Sequence, residues 1–301
     1  MPAAPHISII IPTYNRRALL AECIASVQAQ TFTGWELIVV NDCSPDDTWA
    51  WLAGQAQTEP RLHPLQPPRN LKNPAARNFG LQHARGQYAL FLDDDDRLPP
   101  DALAIHLSAL QRHPRAIASM GEYACLFPDG ALQPNGFVRR ERALNAWDGW
   151  LFGWACTTGQ TLLRSETIRS AGGWDESRPY FGEDFATFIH LLRQHPIVAL
   201  PQITLHYRIH AGQSRPLDKR LLFFDILEEG IMHAPPRLRR RARRIVDARK
   251  LHLRAVEAGQ QRKFAAALWF YLRTLWRAPR LLAHPLTRRR LFLPLAKWLG
   301  R

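Results

Sequence analysis

The 301-residue chain predicts an α/β fold: a mostly parallel central sheet with helices on both faces, followed by a basic helical extension. Three observations carry this. Apolar runs such as His6 to Ile11 (HISIII), Trp35 to Val40 (WELIVV) and Gln87 to Leu92 (QYALFL) are continuous rather than alternating, as in strands buried on both faces. Segments of helical spacing separate them, which is the rhythm of strand–helix–strand units. Charge, finally, is divided sharply along the chain. Residues 1–234 carry 21 Lys and Arg against 24 Asp and Glu, whereas residues 235–301 carry 19 against 2. The net charge of +14 therefore resolves into a body at −3 and a tail at +17, with the break at Pro235-Pro236.

Composition excludes several classes. A hydrophobic content of 46% with ten tryptophans excludes a disordered chain. Runs such as Ile7 to Pro12 and Ala265 to Leu272 fall short of the roughly 20 apolar residues of a membrane-spanning helix. No basic stretch followed by an apolar one opens the sequence, so no secretory signal is expected. Cys23, Cys43, Cys125 and Cys156 are far apart and form no CxxC pair, which offers neither a zinc site nor a disulfide framework and fits a reducing cytoplasm.

In order along the body, the first strand ends at Pro12, and Arg16 to Gln30 places Leu19, Leu20, Cys23, Ile24 and Val27 at helical spacing. After the second strand, Ser44-Pro45-Asp46-Asp47 opens a helix with a capping residue and a proline in its first turn. Arg61 to Leu65 is a weaker third strand, Pro74 to Arg85 a helix, and the strand from Gln87 ends in four aspartates. Beyond these, Ile117 to Phe127 and Ala131 to Val138 read as strands joined at Pro128-Asp129-Gly130. Leu144 to Phe152 reads as an aromatic-rich helix, Thr157 to Leu163 as a strand, and Ser165 to Ser170 as a short helix closed by Gly172-Gly173. Phe185 to Gln194 is an apolar helix preceded by Glu183 and Asp184, and Ile203 to Ile209 is the last strand.

The chemistry concentrates in Asp93-Asp94-Asp95-Asp96. Four adjacent carboxylates repel one another unless a cation or solvent screens them, and Mg²⁺ or Mn²⁺ takes oxygen ligands from one or two carboxylates together with substrate phosphates. The alternative is an acidic surface loop opening the next helix, with Asp96 and Asp101 at its N-terminus.

The surrounding residues resemble a family. SIIIPTYNR (Ser8 to Arg16), ELIVVNDCSPDDT (Glu36 to Thr48), AARNFGLQHARGQYALFLDDDD (Ala75 to Asp96), GGWDES (Gly172 to Ser177) and GEDF (Gly182 to Phe185) occur in an order that resembles the glycosyltransferase family 2 signature on a GT-A (Rossmann-like) fold, over residues 6–215. The resemblance implies a domain over 1–215, with a nucleotide-sugar half to about 115 and an acceptor half over 116–215, then a connecting segment 216–234 and the tail 235–301. It also implies an inverting, metal-dependent transfer of a sugar from a nucleoside-diphosphate sugar, most simply a UDP-sugar, to an acceptor hydroxyl of an envelope polysaccharide or glycolipid.

Roles follow position by position from the same resemblance. The turn Pro12, Thr13, Tyr14, Asn15 touches the nucleotide, and Asp42 accepts a hydrogen bond from the base. Here Asn41 replaces the family's first aspartate, keeping a hydrogen bond but not the charge, and Cys43-Ser44-Pro45 replaces Gly-Ser-Thr. Asn70-Leu71-Lys72-Asn73-Pro74 replaces a Gly-rich approach. Arg77 neutralises diphosphate or holds the acidic loop. In the DxD motif Asp93-Asp94-Asp95, Asp95 binds a divalent metal, Mn²⁺ or Mg²⁺, Asp93 contacts the ribose or shares the metal, and Asp94 belongs to the nucleotide-sugar set. Asp184 is the catalytic base, and Glu183 beside it orients acceptor or loop. Trp174 offers an aromatic face to the acceptor sugar or belongs to the core. In HYRIHAGQS, Arg208 and His210 reach diphosphate or metal, with a structural histidine as the alternative.

In the tail, Arg237 to Arg254 reads as a helix ended by Gly259, Arg262 to Arg277 as a strongly amphipathic one, and Pro285 to Trp298 as a third segment. Aromatic residues beside Arg and Lys suit an anionic membrane surface, against the alternatives of packing on the body or nucleic-acid binding. This places the chain in the cytoplasm, peripheral on the inner face of the cell membrane. Two rival readings are a sugar nucleotidylyltransferase, which would show a Gly-rich loop where Pro12-Thr13-Tyr14-Asn15 has none, and a non-catalytic nucleic-acid-binding protein acting through the tail.

Overall fold

The structure, a computed structural model, describes residues 5–136, 138, 140–144, 158–177, 182–192, 195–210, 228, 231–232 and 236–277. Of the helix expected over 144–152 only Leu144 is described, as the end of a strand, while the segment 285–298 and most of the connecting stretch 216–234 lie outside the described residues. The chain divides into two compact units, Met1–Asp148 with Ala155–Ser214, and Gly149–Trp154 with Arg215–Arg301.

In the first unit the elements run β1 (Ile7–Thr13), α1 (Arg17–Gln28), β2 (Trp35–Asn41), α2 (Thr48–Thr58), β3 (Leu62–Leu65), α3 (Asn73–His83), β4 (Tyr88–Phe91), α4 (Ala102–Arg112), β5 (Ala118–Leu126), β6 (Leu132–Pro134) and β7 (Arg142–Leu144). A 3₁₀ turn at Thr158–Gln160 leads into β8 (Thr161–Arg164), α5 (Ser165–Ser170), α6 (Glu183–Leu192) and β9 (Ile197–Arg208). Among the described residues these strands form one nine-stranded sheet in the order β3-β2-β1-β4-β8-β5-β9-β7, with β6 paired to β5.

Every residue of β1 and β2 is buried, which accounts for their unbroken apolar sequence. On one face Ile7, Ile9, Ile11, Leu37 and Val39 join Leu20, Cys23, Ile24 and Val27 of α1 and Leu103, Leu107 and Leu110 of α4 in a single core. On the other face α3 lies against Ile10, Ile38 and Val40. There Gly80 permits the approach, since a Cβ on it would stand 2.6 Å from Ile10 Cγ2.

The parallel arrangement holds for β3, β2, β1 and β4. Past them the sheet is mixed: β8 runs antiparallel to both β4 and β5, whereas β9 runs parallel to β5. Strand β9 begins six residues earlier than its sequence suggests. Pro201 interrupts the pattern, and the β5–β9 register shifts between Met120 and Glu122, so the proline falls at an irregularity that tolerates a missing donor. The parallel half ends its strands on one side, where β1, β2 and β4 deliver Thr13, Asn41 and the aspartate run to neighbouring loops.

The second unit contains α7 (Pro236–Gln260) and α8 (Phe264–Arg277), which pack on each other and are tied by an Arg277–Asp247 ion pair at 2.8 Å. Ala242, Ile245, Val246 and Ala248 of α7 and Ala267 and Tyr271 of α8 are buried, while Arg239, Arg240, Arg243 and Arg244 are exposed. Helix α8 is apolar on more than one side, because Phe264, Leu268, Trp269, Leu272 and Trp276 are also exposed. Among the described residues no helix is long and apolar enough to cross a membrane.

Candidate active site

The site is built where β4 ends. Its last residues are buried, so the chain must turn, and the four aspartates of that turn meet groups from β1, α3 and β9. Thr13, at the end of β1, donates its hydroxyl to Asp94 Oδ2 at 2.7 Å. Arg16 Nη1 donates to Asp94 Oδ1 at 3.1 Å and to Asp95 Oδ2 at 3.0 Å. From α3, Arg77 Nη2 reaches Asp93 Oδ1 at 2.7 Å, while Nη1 reaches Glu183 Oε1 of α6 at 2.9 Å. From β9, Arg208 donates its amide to Asp96 Oδ1 at 2.9 Å and its Nε to the Asp95 carbonyl at 2.8 Å. His210 Nε2 lies 3.0 Å from Asp95 Oδ2. Arg208 and Arg97 both pair with Glu22 of α1, which fixes the outer side of the turn.

A cavity of about 310 Å³ opens beside these groups, lined by Pro12, Tyr14, Arg16, Asn73, Asp93, Asp94, Asp95 and Tyr207. Tyr14 is half exposed at its mouth. Next to it, Asp42 uses Oδ1 to accept the Leu71 amide at 2.6 Å and Oδ2 to accept the Lys72 amide at 2.9 Å, so the loop before α3 is folded onto this carboxylate. Lys72 adopts φ 70° and ψ 167°, a region that belongs almost wholly to glycine, and Cys43 sits at φ 60°. Both stand where the glycines of the resembled motifs would lie. Asn15, at φ 55°, is held by its amide on Ser44 Oγ at 2.9 Å, and Asn41 keeps a hydrogen bond from Nδ2 to Gln66 Oε1 at 2.7 Å.

The donor set fits a hard divalent cation. Asp93, Asp95 and Asp96 each offer a carboxylate oxygen within 4.8 Å of the others, an all-oxygen group of the kind that Mg²⁺ and Mn²⁺ take. The chain's own electrostatics point the same way. Burial pushes Asp94 up to about 6, opposed by Arg16 and the Thr13 hydroxyl. Burial, joined by the charges of Asp93 and Asp95, raises Asp96 well above the usual carboxylate range. Both shifts come first from burial, which a cation bound at the turn would offset by favouring the carboxylate forms.

These contacts bear on the alternatives open for Trp174, Arg77 and Glu183. Trp174 does not present a face to a sugar: it is 2% exposed, edge-on to Phe91 at 4.8 Å and Phe188 at 5.8 Å, with the Arg77 guanidinium 5.0 Å above its ring. It is the floor beneath the acidic turn, and its backbone is clamped by Asn78, which accepts the Trp174 amide at 2.7 Å and donates to its carbonyl at 3.0 Å. Arg77 and Glu183 are both buried and engaged with each other, so Arg77 braces the loop rather than facing the cavity, and Glu183 orients that brace rather than an acceptor. Asp184 follows in the first turn of α6, half-buried and close enough that its charge adds to those of Asp93 and Glu183 in raising Arg77. Sequence reasoning assigned no role to Arg16, although it closes the PTYNR motif, and the fold brings it onto the aspartate run.

Residues 8–165 match the family model described as glycosyl transferase family 2. The chain belongs to glycosyltransferase family 2. Curated relatives agree: TuaG of Bacillus subtilis (strain 168), whose name assigns it to teichuronic acid biosynthesis, is 34% identical over 126 residues, covering 42% of this chain and 50% of TuaG. WcaA of Escherichia coli (strain K12), whose name assigns it to colanic acid biosynthesis, is 30% identical over 186 residues, covering 57% of this chain and 64% of WcaA. The chain thus spans less than two thirds of the length of either relative. The structure of TarS 1-349 from S. aureus in complex with UDP-GlcNAc superposes with a TM-score of 0.65 at 16% identity, over 98% of this chain and 92% of that one, which identifies the fold as the GT-A fold of this family.

Proposed function

We propose that this family 2 member is an inverting, metal-dependent glycosyltransferase that moves a sugar from a nucleoside-diphosphate sugar, with a UDP-sugar as donor, to a hydroxyl of an envelope polysaccharide or lipid-linked acceptor. The observation that carries the reading is the acidic turn, in which carboxylate oxygens of Asp93, Asp95 and Asp96 converge beside the 310 Å³ cavity that Asp93 and Asp95 line. The names of TuaG and WcaA support the acceptor class, and the UDP-GlcNAc bound to TarS supports the donor.

Asp93 and Asp95, with His210 beside Asp95, hold the divalent cation. When bound, that cation offsets the charge that grows on the departing diphosphate. Pro12, Thr13, Tyr14 and Asn15 line or support the nucleotide side, and Asp42 keeps capacity for the base, because a carboxylate has about four acceptor positions and two are used by amides. Asp184, at the positive end of α6, removes the proton from the acceptor hydroxyl as its oxygen attacks the anomeric carbon opposite the leaving group. The test is release of nucleoside diphosphate from UDP-, dTDP- and GDP-sugars with Mn²⁺ or Mg²⁺ and a polysaccharide acceptor. Release from a UDP-sugar is the expected result, and no release with any donor overturns the reading.

Residues 235–301 supply contact with an anionic membrane surface, at the cytoplasmic face of the cell membrane. The exposed apolar row of α8 beside the exposed arginines of α7 supports this, since such a pairing suits headgroups and acyl chains together. The full chain is expected to sediment with vesicles containing phosphatidylglycerol, and Leu268→Glu with Leu272→Glu to lose most of that sedimentation. Equal sedimentation of the double variant overturns the membrane role.

A further inference from the structure

We propose that Arg16 occupies the cation seat of the acidic turn until a diphosphate enters, and so couples metal binding to donor binding. This rests on the metal-dependent reading above and goes beyond it by assigning a role to a side chain outside the metal-binding set. Arg16 Nη1 is shared between Asp94 Oδ1 at 3.1 Å and Asp95 Oδ2 at 3.0 Å, the same Asp95 oxygen that His210 Nε2 approaches at 3.0 Å. A divalent cation on that oxygen would meet the guanidinium charge at close range, so one must leave for the other to bind well.

Of the described cations that touch the turn, Arg16 is the one able to leave. Arg77 is buried, with both terminal nitrogens engaged by Asp93 and Glu183. Arg208 is held by the Asp95 carbonyl and Glu22. The Arg16 side chain, by contrast, is 41% exposed, and among the described residues it is the only basic one lining the cavity. It also starts from the loop just before α1, so rotation of the side chain alone carries the guanidinium from the carboxylates into the cavity. A diphosphate there offers the planar guanidinium paired oxygens that replace those it gives up. The arginine then helps hold the phosphates while Asp95 is freed toward the metal. Because the two ligands act through one side chain, each must raise the affinity of the other by the same factor.

The test measures Mn²⁺ binding to the full chain by electron paramagnetic resonance of the free ion, with and without UDP or GDP, for the natural chain, Arg16→Gln and Arg16→Lys. Arg16→Gln is expected to bind Mn²⁺ alone about tenfold more tightly than the natural chain, to gain less from nucleotide, and to bind UDP about tenfold more weakly in EDTA. Arg16→Lys, which keeps the charge, is expected to retain weak Mn²⁺ binding in the absence of nucleotide. Unchanged or weaker Mn²⁺ binding by Arg16→Gln alone, or an undiminished gain from nucleotide, overturns the proposal while leaving metal dependence standing. No Mn²⁺ binding by any of the three, with or without nucleotide, overturns both.

Discussion

Asp184→Asn is expected to bind donor within about twofold of the natural chain and to lose about 10²- to 10⁴-fold in transfer, the range that a positioned base contributes. The substitution keeps the shape and removes the ability to accept a proton. The fold should tolerate it, because Arg77, whose charge Asp184 helps offset, remains paired with Asp93 at 2.7 Å and Glu183 at 2.9 Å. Donor titration separates the two effects from each other, and single-turnover release of the nucleoside diphosphate reads the chemical step. Transfer at the natural rate would remove Asp184 from the role of base, and loss of donor binding would make its role one of assembly.

Arg77→Met is expected to lower stability by about 3 kcal/mol, near the low end of what breaking a buried ion pair costs. Glu183 is left almost wholly buried without its cation, whereas Asp93, with 37% of its side chain exposed, recovers part of its hydration. The Arg77→Met, Glu183→Gln double variant should regain part of the loss, since the unpaired buried charge is gone. Urea unfolding of the full set of single and double variants measures the coupling. A loss under about 1 kcal/mol in Arg77→Met would show that the guanidinium is not the brace between α3, α6 and the acidic turn.

Those two residues also mark what was legible in the sequence. Strands β1, β2 and β4 read clearly because burial on both faces leaves no polar alternation to confuse them. The aspartate run was visible for a similar reason, since four carboxylates after an apolar strand need a screening charge. Arg77 was visible as a cation in a motif, but its two partners stand 16 and 106 residues away, and only folding brings both to it. Trp174 lies between glycines and an aspartate, a polar setting that suggests exposure. Phe91 and Phe188 close over it from β4 and α6, and nothing local announces that. Arg16 was missed because its partners are also remote, at Asp94 and Asp95. Strand β9 was shortened by Pro201, whose local signal is opposite to the tertiary context that accepts it.

The place of β9 has a consequence for how the protein is made. It is the last strand of the sheet in the sequence, yet it lies inside the sheet, between β5 and β7, and its end supplies the Arg208 contacts to Asp95 and Asp96. A growing chain that has reached residue 196 therefore holds β5 with an open edge, and the aspartate turn without its anchor from β9. Such pairings over long separations form slowly, and the exposed edge is available to other chains in the meantime. Sheet closure and completion of the acidic turn are one event in the life of the nascent protein.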